Sequence, residues 1–285
     1  MTRPTPWAVA GLGYIGSSWV LAVRAAQPQR PVIGWDANPE VARQARDLGL
    51  VDEARSDPPA AVADAELLLL AVPVPAMADA AAAVAPRLAA GATVTDVGSV
   101  MGPVADTLRP VWGGRFVPGH PLAGSEQSGP AAARGDLFRG AAWALDGTGV
   151  DQEAWSRTQA MVRSVGAVPV ACPAAVHDQT VAVTSHLPYL VAVALCLVAD
   201  PVTAAGPPLF ASGLGDGTRV AASDPKLWAG ILRANAAAVL AAVDAYQRQL
   251  ADLRAALVDS PDQLAGRLAQ AAVARRRLGP AGARR

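Results

Sequence analysis

The sequence predicts an α/β protein, with a doubly wound, mostly parallel sheet in its N-terminal part and an all-helical C-terminal part. Three observations carry this. Short apolar runs alternate with helical segments as far as residue 171. A glycine-rich turn, GLGYIG, joins the first run to the first helix. After Cys172 and Pro173 the segments become long and Ala-rich and lose strand signals. The boundary is therefore expected near residue 172, with domains 1–172 and 173–285.

Trp7–Ala10 reads as a short apolar strand, and the glycines at 11, 13 and 16 open a helix to about Gln27. Pro31–Asp36 supplies a second strand, and Pro39–Leu48 a helix with Asn38 as N-cap and Pro39 as its first residue. Leu67–Val72 is a continuous apolar run, the pattern of a parallel strand buried on both faces. A helix over Pro75–Ala90, a strand at Thr93–Val97 and strand candidates at Arg115–Pro118 and Ala142–Leu145 follow, with a glycine-rich loop between the last two. Gln152–Val165 is helical and Ala167–Ala171 is the last strand. Beyond it, Ala174–Ala199 is helical with Pro188 as a kink, and Pro201–Gly217 reads as a Pro/Gly-rich link. Leu227–Leu257 has helical periodicity, Pro261 starts a final helix, and RRRLGPAGARR reads as a frayed, solvated end.

Composition excludes several classes. Lys+Arg and Asp+Glu both number 24, so the formal charge is zero and offers no footprint for nucleic acid or an anionic membrane. Two cysteines, Cys172 and Cys196, cannot build a disulfide scaffold or a four-thiolate metal site, and free thiols suit a reducing compartment. The apolar run near the start passes straight into the glycine turn, unlike a signal peptide, and no stretch reads as an 18-residue membrane span. A soluble, cytoplasmic protein is expected. The Ala-rich helices present thin apolar faces, so burial between helices, including those of different subunits, must supply much of the stability.

GLGYIG, Gly11–Gly16, fits GxGxxG, a weak pattern alone. Here it follows a strand, opens a helix and is followed 20 residues beyond Gly16 by Asp36, at the end of the next strand, which is the full context of a Rossmann-type dinucleotide fingerprint. Gly11 makes the tight turn, Gly13 lets a pyrophosphate approach the backbone and Gly16 permits close helix–strand packing, with Tyr14 and Ile15 opening the helix whose N-terminus meets the phosphates. Asp36 suits ribose hydroxyls and repels a 2′-phosphate, and the next residues are Ala37 and Asn38, so NAD is expected over NADP. Val72 and Pro73 end the third strand of the unit, either beside the cofactor or as simple strand terminators.

The chain has three histidines, at 120, 177 and 186. His120, in FVPGHPLAGSEQSG, is a candidate general base because its unperturbed pKa lies near neutrality; the plainer alternative is a loop histidine capping backbone groups. Ser99, in DVGSV, follows a strand's C-terminal end and suits either orientation of His120 or a substrate hydroxyl, or a helix cap. The planar fork of Arg219 suits a carboxylate, or a surface ion pair. His177 and His186 are nine residues apart, which on one regular helix places them on roughly opposite faces, so no metal site is expected.

Four segments together resemble the prephenate and arogenate dehydrogenases of tyrosine biosynthesis. They are GLGYIG with Asp36; DVGSV; FVPGHPLAGSEQSG; and HDQTVAVTSHLPYL followed by ASGLGDGTRVAASDPKLW. The resemblance implies NAD-dependent oxidative decarboxylation, with His120 as the catalytic histidine on the ring hydroxyl and Ser99 supporting that contact. It further implies that Arg219 holds a substrate carboxylate, that His186 lines the pocket, and that Trp228 can reach the neighbouring subunit's pocket in a homodimer built largely through the helical part. The chain departs from the family pattern at Met101, where the family often has Lys, and at Tyr189, which replaces a second histidine. Prephenate and arogenate differ by a keto and an amino group, and the acids available to an ammonium are Glu126, Asp178 and Asp216. With none committed to one, prephenate is expected and arogenate is the alternative.

Overall fold

The computed structural model describes residues 4–55, 57–125, 127–206 and 211–278. Six strands form one all-parallel sheet: β1 (Trp7–Ala10), β2 (Val32–Trp35), β3 (Glu53–Ala54), β4 (Leu67–Leu70), β5 (Thr93–Asp96) and β6 (Phe116–Val117). Their order, β3-β2-β1-β4-β5-β6, is that of the Rossmann fold. Between them run α1 (Tyr14–Ala26), α2 (Pro39–Asp47), α3 (Pro58–Val62), α4 (Met77–Val84) and α5 (Gly102–Trp112). The α2 helix starts as expected, Asn38 accepting the Glu40 N–H at 3.0 Å with Pro39 at the first position.

The period of two along each strand feeds two cores. Leu67 and Leu69 pack with Trp7, Val9 and Trp19 on one face of the sheet, and Leu68 and Leu70 with Ala8, Ala10 and Met77 on the other. All four leucines of β4 are fully buried, each contributing roughly 1.5–3 kcal/mol. Helix α1 lies close on β1: the Trp19 ring stacks on that of Trp7 with centroids 5.7 Å apart.

A second sheet departs from the purely parallel expectation. It contains β7 (Gly119–Pro121), β8 (Ala142–Leu145) and β9 (Val168–Ala171); β7 runs antiparallel to β8, placing His120 opposite Ala144, and β9 runs parallel to it. His120 therefore sits on a strand, not in the loop expected from its glycines. Pro118, which has no N–H to continue β6, marks the switch between sheets. Helix α6 (Gln152–Ser164) links β8 and β9.

After β9 every element is helical: α7 (Ala174–Val181), α8 (Leu187–Ala205), α9 (Ser212–Thr218), α10 (Pro225–Ala234), α11 (Ala236–Asp259) and α12 (Pro261–Leu278). The expected link at 201–217 is largely helix, since α8 continues through Pro201 and α9 begins at Ser212. The periodic run 227–257 breaks at Asn235. Arg275, Arg276 and Arg277 form the last turn of α12, where cations suit the helix dipole, and are not frayed. The remainder of that tail, 279–285, lies outside the described residues. By compactness the chain divides into Met1–Asn235 and Ala236–Arg285, so α7–α10 belong to the same unit as the sheets.

The segment Ala174–Val202 is long and apolar enough to cross a membrane by length and composition, contrary to the expectation of no such span. It is interrupted by a π-helical turn, Ala182–His186, between α7 and α8. Pro188 explains the interruption: it cannot donate to the carbonyl four residues back, and its ring crowds that carbonyl.

Candidate active site

The strand order reverses between β1 and β4, so a crevice opens at their C-terminal ends, where doubly wound sheets bind ligands. GLGYIG lies there against Ala71 and Val72. Gly11 has φ +98°, and a side chain on it would collide with the Ala71 carbonyl. A Cβ on Gly16 would strike the Gly11 carbonyl, whereas one on Gly13 would meet nothing within 4 Å. The roles of Gly11 and Gly16 are thus steric requirements of the turn and helix packing, and Gly13 leaves open space. No side chain caps α1 and no acid occupies its first turn, so the N–H groups of Tyr14 and Ile15 remain available to an anion. Asp36 accepts the Leu12 N–H through Oδ2 and the Asn38 N–H through Oδ1, both at 2.8 Å. It pins the turn to the end of β2 while its carboxylate keeps lone pairs for hydroxyl donors. These residues fit a dinucleotide.

Beside this crevice, β5 ends in Asp96, whose buried carboxylate accepts Gly98 N–H through Oδ2 at 2.8 Å and Gly119 N–H through Oδ1 at 3.0 Å. One acid thus ties the loop carrying Ser99 to the strand carrying His120. Burial pushes its pKa up to about 7 against the pull of those N–H donors. Gly119 is required: a Cβ there would lie 2.9 Å from Trp143 Nε1 and 3.0 Å from the Asp96 carbonyl oxygen.

His120 Nδ1 lies 2.8 Å from His177 Nε2, and His177 Nδ1 lies 2.8 Å from Asp178 Oδ1. Asp178 also accepts the backbone N–H groups of Met101 and Gly102 at the start of α5, both at 2.8 Å. Burial alone would raise its pKa, but the His177 hydrogen bond and the two backbone donors hold the carboxyl below its usual range. Asn235 completes the cluster: its Nδ2 donates to the Asp178 carbonyl at 2.8 Å and lies 3.2 Å from His186 Nδ1. Burial, then His177 and His186, push His120 down to about 3, while Asp178 pulls the other way. Burial likewise lowers His186.

The expected opposition of His177 and His186 fails for a geometric reason. Nine residues of regular helix turn about 900°, but the π turn accommodates one extra residue and takes back roughly 100°, leaving the pair about 80° apart. Both are buried and both act on His120. Among the described residues no cluster suits a metal ion.

The other expected residues distribute as follows. Ser99 is half-buried on the β5–α5 loop, and His120 Nδ1 is held by His177, not by Ser99. Arg219 is exposed at the start of a 3-10 turn, Arg219–Ala222, that packs against α8. Trp228 stacks on Tyr189 of its own chain at 3.8 Å, with the His186 ring edge-on at 6.2 Å. Met101 is buried, and its contribution to the cluster is its backbone N–H. Glu126 lies outside the described residues. Sequence reasoning missed Asp96, His177 and Asn235 as parts of the site, and placed Asp178 there only as an acid available to an ammonium. The HD pair at 177–178 was the available signal, and the assumption of an unbroken helix concealed it.

Fold and site together define a nucleotide-binding oxidoreductase. The chain belongs to the prephenate dehydrogenase family: residues 20–171 match the model described as "Prephenate dehydrogenase, nucleotide-binding domain" and residues 173–270 that described as "Prephenate dehydrogenase, dimerization domain". It is 37% identical over 261 residues to a cyclohexadienyl dehydrogenase of Zymomonas mobilis, covering 88% of this chain and 87% of that one. Among solved structures it resembles the Aquifex aeolicus prephenate dehydrogenase in complex with hydroxyphenyl propionate and NAD+, with TM-score 0.89, 29% identity and coverage of 97% and 99%. It also resembles the Synechocystis arogenate dehydrogenase, with TM-score 0.82, 28% identity and coverage of 96% and 99%.

The site has a direct readout in pH. An unfolded histidine titrates near 6.5, whereas folded His120 titrates near 3, so the unfolded chain takes up the proton first. The stability His120 confers is complete above about pH 6.5 and is lost as the pH falls towards 3. We expect the ring C2 proton resonance of His120, assigned with His120→Asn, to stay unshifted between about pH 8 and pH 5. A midpoint near 6.5 would contradict the assigned environment.

Proposed function

We propose that this chain, an NAD-dependent dehydrogenase of the prephenate/arogenate type, takes prephenate and converts it to 4-hydroxyphenylpyruvate and CO2. The observation that carries the chemistry is a neutral, half-buried histidine on a rigid strand, beside the crevice at the strand ends. When bound, NAD supplies the hydride acceptor. Gly11, Gly13, Tyr14, Ile15, Gly16, Asp36, Val72 and Pro73 are the residues that would hold it. His120 accepts the proton of the C4 hydroxyl as hydride leaves that carbon. Ser99 is on the loop that Asp96 ties to β7, and its role is to support the hydroxyl. Carboxylate loss then follows from aromatisation of the ring and requires no further base. Arg219 anchors a substrate carboxylate, and His186, with Trp228 against it, lines the pocket.

The preference for prephenate is supported by the acids. Asp178 already accepts hydrogen bonds from Met101 and Gly102 and contacts His177, so it is committed away from an ammonium group. Asp216 is exposed on α9. The comparisons favour neither substrate, since relatives of both names are similar to this chain. We expect kcat/KM to favour prephenate over arogenate at fixed NAD; a ratio of ten or more towards arogenate would reverse the substrate reading. His120→Asn should lower turnover by roughly 10²–10⁴-fold with NAD affinity retained, the range for a lost proton transfer.

NAD preference over NADP rests on Asp36. Asp36→Ser should erode it, measured as the ratio of kcat/KM with the two cofactors. Because Asp36 also holds the Leu12 N–H, affinity for NAD should fall as well. Equal use of both cofactors by the unmodified protein would refute the assignment.

We further assign 173–285 to substrate binding and dimerisation, with a second copy covering the apolar face of α8. Leu197, Val198 and Val202 there are about 70% exposed, and the segment lies within the match to the dimerization-domain model. Leu197→Arg should convert a dimer to a monomer in sedimentation equilibrium; a monomeric parent protein would refute the dimer.

A further inference from the structure

We propose that His177, backed by Asp178, fixes the tautomer of His120 so that Nε2 is the atom that takes the substrate's hydroxyl proton. This rests on the reading of His120 as the base. At the start of α5 two backbone donors admit no alternative role. The N–H groups of Met101 and Gly102 both point at the Asp178 carboxylate, which is therefore acceptor at both oxygens. The contact from His177 Nδ1 to the same carboxylate must then be made by an N–H. A neutral imidazole protonated at Nδ1 has its lone pair at Nε2, and that lone pair faces His120 Nδ1. His120 Nδ1 is consequently the donor, and the lone pair of neutral His120 is left on Nε2.

For a neutral His177 these contacts allow one direction only, whereas an imidazolium there would donate through Nε2 and leave the hydrogen of His120 on its own Nε2. His177 is only 3% exposed, so solvent cannot substitute for either partner. Gly102 lacks the side chain that would displace the acid, since a Cβ there would lie 2.9 Å from Asp178 Oδ2. A histidine free in water carries its hydrogen mostly on Nε2, the atom that must be bare here. His177 is thus a positioning residue acting through His120, in the logic of an acid that orients a catalytic histidine, with one more imidazole interposed.

The step balances without further groups. The hydroxyl O–H bond breaks, its proton forms a bond to His120 Nε2 and its electron pair becomes the second bond of the ring carbonyl. The C4–H pair leaves as hydride, so the alcohol is oxidised and NAD reduced. The resulting His120 cation still donates through Nδ1 to His177, whose own Nδ1–H meets the Asp178 carboxylate, so the charge is compensated along the line of hydrogen bonds.

The test uses the full chain labelled with 15N-histidine, whose three histidines give six ring nitrogens. At about pH 7.5 and without ligands, His120 and His177 should each show a protonated Nδ1 and a bare Nε2. His177→Gln offers a carbonyl acceptor and should keep the His120 tautomer and recover most of the turnover that His177→Leu loses. His177→Leu should shift His120 to the Nε2–H form and lower kcat by about tenfold or more, with KM and NAD affinity little changed. A protonated Nε2 on His120 in the unmodified protein would overturn the proposal, as would loss of turnover in both variants with the tautomer unchanged. If His177→Leu does not fold, the unmodified spectrum and His177→Gln still decide. Full activity in His120→Asn would sink the base assignment instead, whatever the spectra show.

Discussion

The carboxylate of Asp178 is the constraint from which the reacting end of this molecule is built. It is a helix N-cap supplied from a distance: α7 lends an acid to the N–H groups of Met101 and Gly102 at the start of α5, which its own sequence leaves uncapped. An exposed cap of this kind contributes about 1 kcal/mol, and a buried one that also holds an imidazole costs more to remove because three donors lose their acceptor together. Helical segment, β5–α5 loop and the strand bearing His120 are thereby registered against one another. The backbone of Asn235 ends α10, and its side chain ties that helix to the same carboxyl-bearing residue.

Asp96 performs the complementary task from inside the sheet. It ties the loop after β5, which carries Ser99, to the start of β7, which carries His120, using two backbone donors. The two acids solve the same burial problem differently. Asp178, with an imidazole and two N–H groups, stays ionised below its ordinary range; Asp96, with backbone donors alone in a fully buried position, rises to about 7. Deeper burial raises Asp96, and the added imidazole hydrogen bond on a less deeply buried carboxylate lowers Asp178.

Much of this architecture was legible in the sequence. The alternation Trp7–Ala10, GLGYIG, Asp36 and the leucines of β4 contain local information only: period, steric need for glycine and strand length. The nucleotide end was readable for the same reason, since its parts lie on consecutive elements. What escaped was non-local. His120 looked like a loop residue because its strand pairs with β8, more than twenty positions on, and a three-residue strand among prolines and glycines has no periodicity of its own. The role of Asp178 depends on donors from residues 101 and 102, a partnership with no sequence signature. Opposite faces for His177 and His186 hold only on a regular helix, and the chain makes a π turn between them.

That helix has a consequence for how the protein can change. A π turn is one residue of surplus length stored inside a hydrogen-bonded rod. Upstream of it, phase is set by the hydrogen bonds between Asp178 and the start of α5; downstream, by the packing of His186, Tyr189 and Trp228. The two halves are therefore indexed separately, and a length change between them acts as a gear step of about 100°, not as a graded shift. Substitutions at 182–185 can be absorbed one side chain at a time, whereas loss or gain of a single residue re-aims one whole wall of the pocket relative to the other.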